Sequence, residues 1–345
     1  MNILSQPKYY LRDPVFDYAF IALIPLFAIS SAYFVVLYPQ HFHTVLMLDL
    51  SLLGYHHVIS TYTRIACSTR SLVEYKFLAL YLPPIVLLAV FGLAWLNSEW
   101  FIATVYLHWQ WWHYLRQSEG IAKSIRFKSK SQEAGNEQFN RFIFYLVPAA
   151  SFILMSSRQP DTYLFMQVYT IPVPVNLANT LALATLVIWC GWLVMQVKAL
   201  FTGALSLTHF IYLISHYAIY LVAYVLITNV TYGWLAINIW HNLQYIIFVW
   251  HFNANTFKEG FDRSRPFISW ISQPKRFVLY IGVCLLLTKI VYYIVDMGVL
   301  MAKPYTVLPL TVIAYMTLNF HHYVVDSYIW KIRKPAIRQS IGIES

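Results

Sequence analysis

The sequence predicts an all-α fold, a polytopic integral membrane helical bundle of about ten transmembrane helices with both termini cytoplasmic. Three observations carry that expectation. Hydrophobic residues make up 59% of the 345 and charged residues only 11%, whereas a soluble domain carries about 25% charged residues. The mean hydropathy is +0.56. The apolar residues fall in runs of about 20, the length at which a helix crosses a bilayer, and Lys and Arg gather between alternate runs.

In order, the runs lie at roughly 15–37, 42–63, 77–96, 99–116, 139–157, 179–198, 203–228, 234–252, 277–296 and 305–330. The first follows a polar segment, MNILSQPKYYLRDP, without a small-residue cleavage site, so the span itself is expected to direct insertion. Pro83 and Pro84 bend the third run, and Pro172 and Pro174 punctuate the loop before the sixth. With no internal repeat or low-complexity stretch, residues 1–345 read as a single transmembrane domain. Its basic loops are expected near 64–76, 116–141 and 253–276.

Charge tests the count. If Lys8 and Arg12 lie inside, every even-numbered run should end inside. The segments that follow those runs hold Arg64, Arg70 and Lys76, then Arg116 to Arg141, then Lys198, then Lys258 to Arg276, and finally Lys331, Arg333, Lys334 and Arg338. The opposite loops hold little beyond Arg158 and Lys303. The same placement argues against nucleic acid as the partner of the +10 net charge, because the cations sit in loops and line no groove. Cys67, Cys190 and Cys284 form no CxxC pair, and GxxxxGK[ST], HExxH, GxSxG and CxxCH are absent.

The informative residues are the twelve histidines. Ionisable side chains in lipid are costly and mark function, and imidazole is a ligand for iron, copper and zinc. His56 and His57, His113, His251, and His321 and His322 stand within about 15 Å of the cytoplasmic ends of four runs at 1.5 Å per residue, and His209 reaches a similar layer. These seven are the expected metal ligands. His108, His216 and His241 are weaker candidates, His108 because its ring can instead bond a nearby backbone carbonyl. Asp49, Asp326, Gln117 and Asn319 are expected to hold ligand rings or to bind directly, since Asp326 is four residues past His322, Asn319 three before it, and Gln117 four past His113. Trp109, Trp111 and Trp112 fit an interfacial aromatic belt.

His108-x4-His113 and the adjacent pairs at 56–57 and 321–322 resemble the boxes of the membrane histidine-cluster di-iron oxygenases, a group that includes fatty-acid desaturases and lipid, sterol and alkane hydroxylases. Neither pair has a histidine three residues earlier, and the boxes are spread over more runs than in that group. The resemblance implies a non-haem centre of two irons that uses O2 to hydroxylate or desaturate a lipidic substrate. It also implies a cytosolic electron donor, a ferredoxin or a reductase. The short loops throughout point to a bacterial inner membrane, and the depth of the histidines to a metal site near the cytoplasmic side. The rivals are a haem-binding electron-transfer protein and a metal-ion or proton-coupled transporter, with Zn or Cu as alternative metals.

Overall fold

The structure is a computed structural model that describes residues 10–65, 69–331 and 335–340. Lys8, Cys67, Arg333 and Lys334, used above for charge and cysteine arguments, lie outside the described residues.

Helices follow one another with short links. They are α1 (Pro14–Leu37), α2 (42–65), α3 (Thr69–Glu74), α4 (Phe77–Trp95), α5 (Glu99–Lys128), α6 (Glu137–Ser157), α7 (Val175–Thr202), α8 (Leu207–Leu226), α9 (Val230–Thr256), α10 (Pro266–Ile271), α11 (Phe277–Ala302), α12 (Leu310–Ile329) and α13 (Pro335–Ser340). The strands described are a two-residue hairpin, Thr162–Tyr163 against Met166–Gln167, in the loop before α7. Single π-turns widen α1 at Ala19–Leu23, α2 at Leu50–Gly54, α4 at Phe77–Tyr81 and α8 at Val222–Leu226.

Among the described residues, six helices are long and apolar enough to cross a membrane: α1, α4, α6, α7, α8 and the Phe277–Tyr305 stretch that contains α11. Only 17% of the apolar window of α7 and 22% of those of α4 and α11 are buried. Leu183, Leu186, Val187, Leu286, Ile290 and Ile294 are among their outward side chains, a surface that suits lipid and not water. The other long helices, α2, α5, α9 and α12, carry Asp, Gln, Asn and His among their apolar residues.

The run expected at 99–116 continues as helix to Lys128, so the basic loop expected from 116 begins some twelve residues later. The extra turns are supported along the helix, where Glu119 pairs with Arg116 one turn back and with Lys123 one turn on, the latter at 2.9 Å.

The chain divides into two compact units. One is built mainly from Met1–Val45 and Trp111–Gln244. In it α6 packs on α7 and α8, and α8 meets the π-turn of α1, where Ser215 Oγ donates to the Ile21 carbonyl at 2.7 Å. Asn140 and Gln196 tie α6, α7 and the 134 backbone together through Trp192 Nε1 (2.8 Å) and the Ala134 N–H and carbonyl (2.9 and 3.0 Å). A Cβ at Gly233 of α9 would fall 1.9 Å from the Ala223 carbonyl oxygen of α8, so only glycine allows that approach.

The second unit is built mainly from Leu46–Gln110 and Tyr245–Ile341. There α12 packs on α4, α2 and α11. Ile65, Leu78, Leu82, Val325 and Ile329 form its buried cluster where the ends of α2 and α12 meet the start of α4.

Candidate metal centre

In the second unit, α2 passes through its π-turn and then runs as Tyr55–Ile65, buried on nearly every side. The wider i→i+5 turn delays the rotation of every residue after Gly54. His57 therefore faces α12, with its ring 4.2 Å from the ring of His322 and nearly perpendicular to it. Thr61, one turn after His57, contacts His322 Nδ1 at 2.8 Å, Tyr245 Oη at 2.6 Å and Asp326 Oδ1 at 3.2 Å. Tyr245 Oη donates to the same Asp326 oxygen at 2.8 Å and accepts from Trp330 Nε1 at 3.1 Å.

These contacts assign the protons. With Tyr245 Oη donating to Asp326 Oδ1 and Thr61 Oγ1 donating to Tyr245 Oη at 2.6 Å, Thr61 Oγ1 is left to accept from His322 Nδ1–H. That is the tautomer whose Nε2 carries a lone pair. Nε2 then faces Asp326 Oδ2 at 3.5 Å, two electron-rich atoms that need a shared proton or a cation between them.

In the first unit, α5 and α9 bring His113 and His241 together with ring centroids 5.0 Å apart, edge to face. Tyr114 lies against the His241 ring at 4.0 Å and donates its hydroxyl to Asn238 Oδ1. Gln117 Nε2 donates to the His241 backbone carbonyl at 3.1 Å. The aromatic lid and the amide thus fix the ring and the backbone of one residue.

One ring nitrogen from each of His57, His113, His241 and His322 lies within 4.8 Å of the others, and all four residues are buried. Imidazole binds a first-row metal at about 2.0–2.1 Å, which sets nitrogen–nitrogen separations of about 3.4 Å in a tetrahedral set. The group could hold one metal ion. The donor set and the carboxylate-ordered tautomer of His322 fit a metal and its orienting partners.

The remaining expected ligands are not gathered with these four. His56 points elsewhere on α2, as adjacent helical residues diverge by about 100°; it bonds the Leu52 carbonyl, and its buried Nε2 has no partner. His321 bridges Tyr62 Oη (2.8 Å, Nδ1) and the Leu78 carbonyl (2.7 Å, Nε2), which ties α12 to α2 and α4. His216 bridges Ser118 Oγ (2.9 Å) and the Phe144 carbonyl (3.1 Å) and stacks on Phe144. His209 reaches Ser131 Oγ at 3.1 Å and stands 3.8 Å from Glu133. His251 meets Asn255 at 3.1 Å, and His108 meets the Thr104 carbonyl at 2.8 Å. Asp49 is buried on α2 beyond the π-turn. Asn319 donates to the Tyr315 carbonyl within α12.

Thr61 and Tyr245 are not among the residues expected from the sequence to bind or orient a metal. Each stands four residues after one of the four histidines, Thr61 after His57 and Tyr245 after His241, the spacing that puts two side chains on one helix face. A search for hydroxyls at that offset finds both. Compared with known family models, curated proteins and solved structures, the chain matches none.

Proposed function

We propose that this chain is a membrane-embedded non-haem iron oxygenase that hydroxylates or desaturates a lipidic substrate with O2. The observation that carries the reading is the convergence of four buried imidazoles beside a carboxylate that orders one of them. A porphyrin needs a flat slot between a facing pair, whereas four mutually adjacent rings surround a point. Iron in such a set supplies redox activation of O2. The expected pair of irons narrows to one, because the gathered donors make up a single set.

The chain's own residues supply the rest. His57, His113, His241 and His322 hold the ion, and Asp326, through Thr61 and Tyr245, keeps His322 in its ligating tautomer. Burial keeps water from a reactive centre. Ten spans, cytoplasmic termini and a bacterial inner membrane complete the proposal. In it α2, α5, α9 and α12 cross the bilayer together with the six more apolar helices, and a cytosolic ferredoxin or reductase docks on basic residues such as Arg116, Lys123 and Arg141. A second reading, a structural zinc site, is favoured by the all-imidazole set, which can close a tetrahedron.

The test is metal analysis by plasma mass spectrometry on protein purified from iron-replete cells, with O2 uptake measured on lipid substrates. About one iron per chain and substrate-dependent uptake, both lost in His57→Ala and His241→Ala, support the oxygenase. Zinc at one per chain without uptake replaces it by the structural site, and a metal-free protein removes both.

A further inference from the structure

The second unit contains a cleft of about 530 Å³ lined by Met47, Ser51 and Tyr55 of α2, by Thr288, Lys289, Ile290, Tyr292, Tyr293, Ile294 and Asp296 of α11, and by Tyr315 of α12. That is the volume of an ordinary small-molecule site. Its walls are mostly apolar and aromatic, with Tyr55 stacked on Tyr292 at 3.9 Å and Tyr315 at 5.2 Å from Tyr55. Its charged residues are Lys289 and Asp296.

Among the described residues they form no ion pair. Asp296 instead accepts a hydrogen bond from Tyr315 Oη at 2.8 Å. Lys289 is one of the cleft's lining residues and is exposed, with no carboxylate in an ion pair with it among the described residues.

The depth of Lys289 makes this informative. It is the thirteenth residue of the Phe277–Tyr305 stretch, roughly 18 Å along the axis from one end and 24 Å from the other at 1.5 Å per residue. A lysine stem spans only about 6 Å, so it does not bring the ammonium to either end of such a helix by snorkelling. An ammonium kept mid-helix on an apolar stretch signals a ligand or a partner, and no side-chain partner is present among the described residues.

We propose that the cleft is a binding site for an anionic amphiphile, with its charged head on Lys289 and its apolar body along Met47, Ile290, Ile294 and the tyrosines. Tyr315 keeps Asp296 turned toward α12, so the carboxylate does not compete for the ammonium. The proposal stands whether or not the histidine centre is catalytic. Two sources share the chemistry, a free long-chain carboxylate and the phosphate head of an anionic bilayer lipid.

The experiment is equilibrium binding to the full-length protein in neutral detergent, stripped of metal by chelator. Radiolabelled palmitate and phosphatidylglycerol are the probes, with methyl palmitate and phosphatidylcholine as head-group controls. At least one anionic probe is expected to bind tenfold or more tighter than its control. Lys289→Met should abolish that preference and Lys289→Arg should keep it. Palmitate alone showing the preference identifies a free carboxylate as the source, and phosphatidylglycerol alone identifies the bilayer lipid. Equal binding of anionic and control probes, or a preference that survives Lys289→Met, overturns the proposal. Lys289→Arg also shows that a loss in the methionine variant is not misfolding.

Discussion

His216 in the first unit and His322 in the second are both 0% exposed, both lie on long helices and both carry polar neighbours. Their ring nitrogens end differently. His216 has one nitrogen on Ser118 and the other on the Phe144 carbonyl, so its hydrogen-bonding capacity is spent on joining α8 to α5 and α6. His322 has Nδ1 against Thr61 Oγ1 and Nε2 3.5 Å from Asp326 Oδ2, and it is one of the four gathered imidazoles. Burial therefore does not mark a ligand in this molecule. A ring that already joins two helices has no lone pair to give a metal.

The strongest way to break that contrast is to delete each ring. His322→Ala is expected to reduce bound metal from about one ion per chain to background in plasma mass spectrometry. His216→Phe, which keeps the stacking volume, should retain full metal; equal losses in both variants would end the distinction. Next in size, Asp326→Asn and Thr61→Val should weaken metal affinity by about 10–100-fold. Competition with a graded chelator series reads this, and an unchanged affinity would remove Asp326 from its orienting role. For His216→Phe itself the expected loss is stability, roughly 1–3 kcal/mol for the stranded Ser118 and Phe144 groups, followed by thermal unfolding in detergent.

Acid should separate two events. Ligating imidazoles must be neutral, so metal release is expected as pH falls through about 6.5 and below. Glu119 acts later. Burial alone would raise its pKa, but hydrogen bonds from Tyr145 and Lys123 and the Arg116 charge outweigh that and hold it below the ordinary value. A folded pKa below the unfolded one gives stability that is complete above the unfolded pKa and lost as pH falls through the folded pKa. The Glu119 contribution should therefore persist through metal release and fade only below about pH 4.5. Glu119→Gln should remove the second event and leave the first; loss of both together would show that the two regions unfold as one.

The parts of this molecule that the sequence made legible are those governed by period and composition. The helical class, the apolar stretches and three of the four gathered histidines, His57, His113 and His322, follow from runs, charge and spacing. His241 ranked lower because its depth was counted from loop cations along straight helices, a measure too coarse for a residue near mid-helix. His56 is not among the gathered four, and the π-turn at Leu50–Gly54 that precedes both rings, with His57 the one that meets His322, has no sequence signature. His321 and His322 are indistinguishable as text; only the Leu78 carbonyl and Tyr62 separate them. The helices outside the most apolar six, α2, α5, α9 and α12, are also the ones that carry the four rings, since the residues that make the site lower the hydropathy.

The contact at Gly233 bears on how the chain tolerates changes of length. A backbone-to-backbone stop against Ala223 cannot slide, and His241 stands eight residues further along the same helix. One residue inserted between them would carry the ring about 1.5 Å up the axis and about 100° around it, out of reach of His113. The stretch from 234 to 240 behaves as a ruler. An insertion of the same size in the turn at Leu164 and Phe165 lies outside the stretch from 234 to 240 and leaves the length of the ruler unchanged.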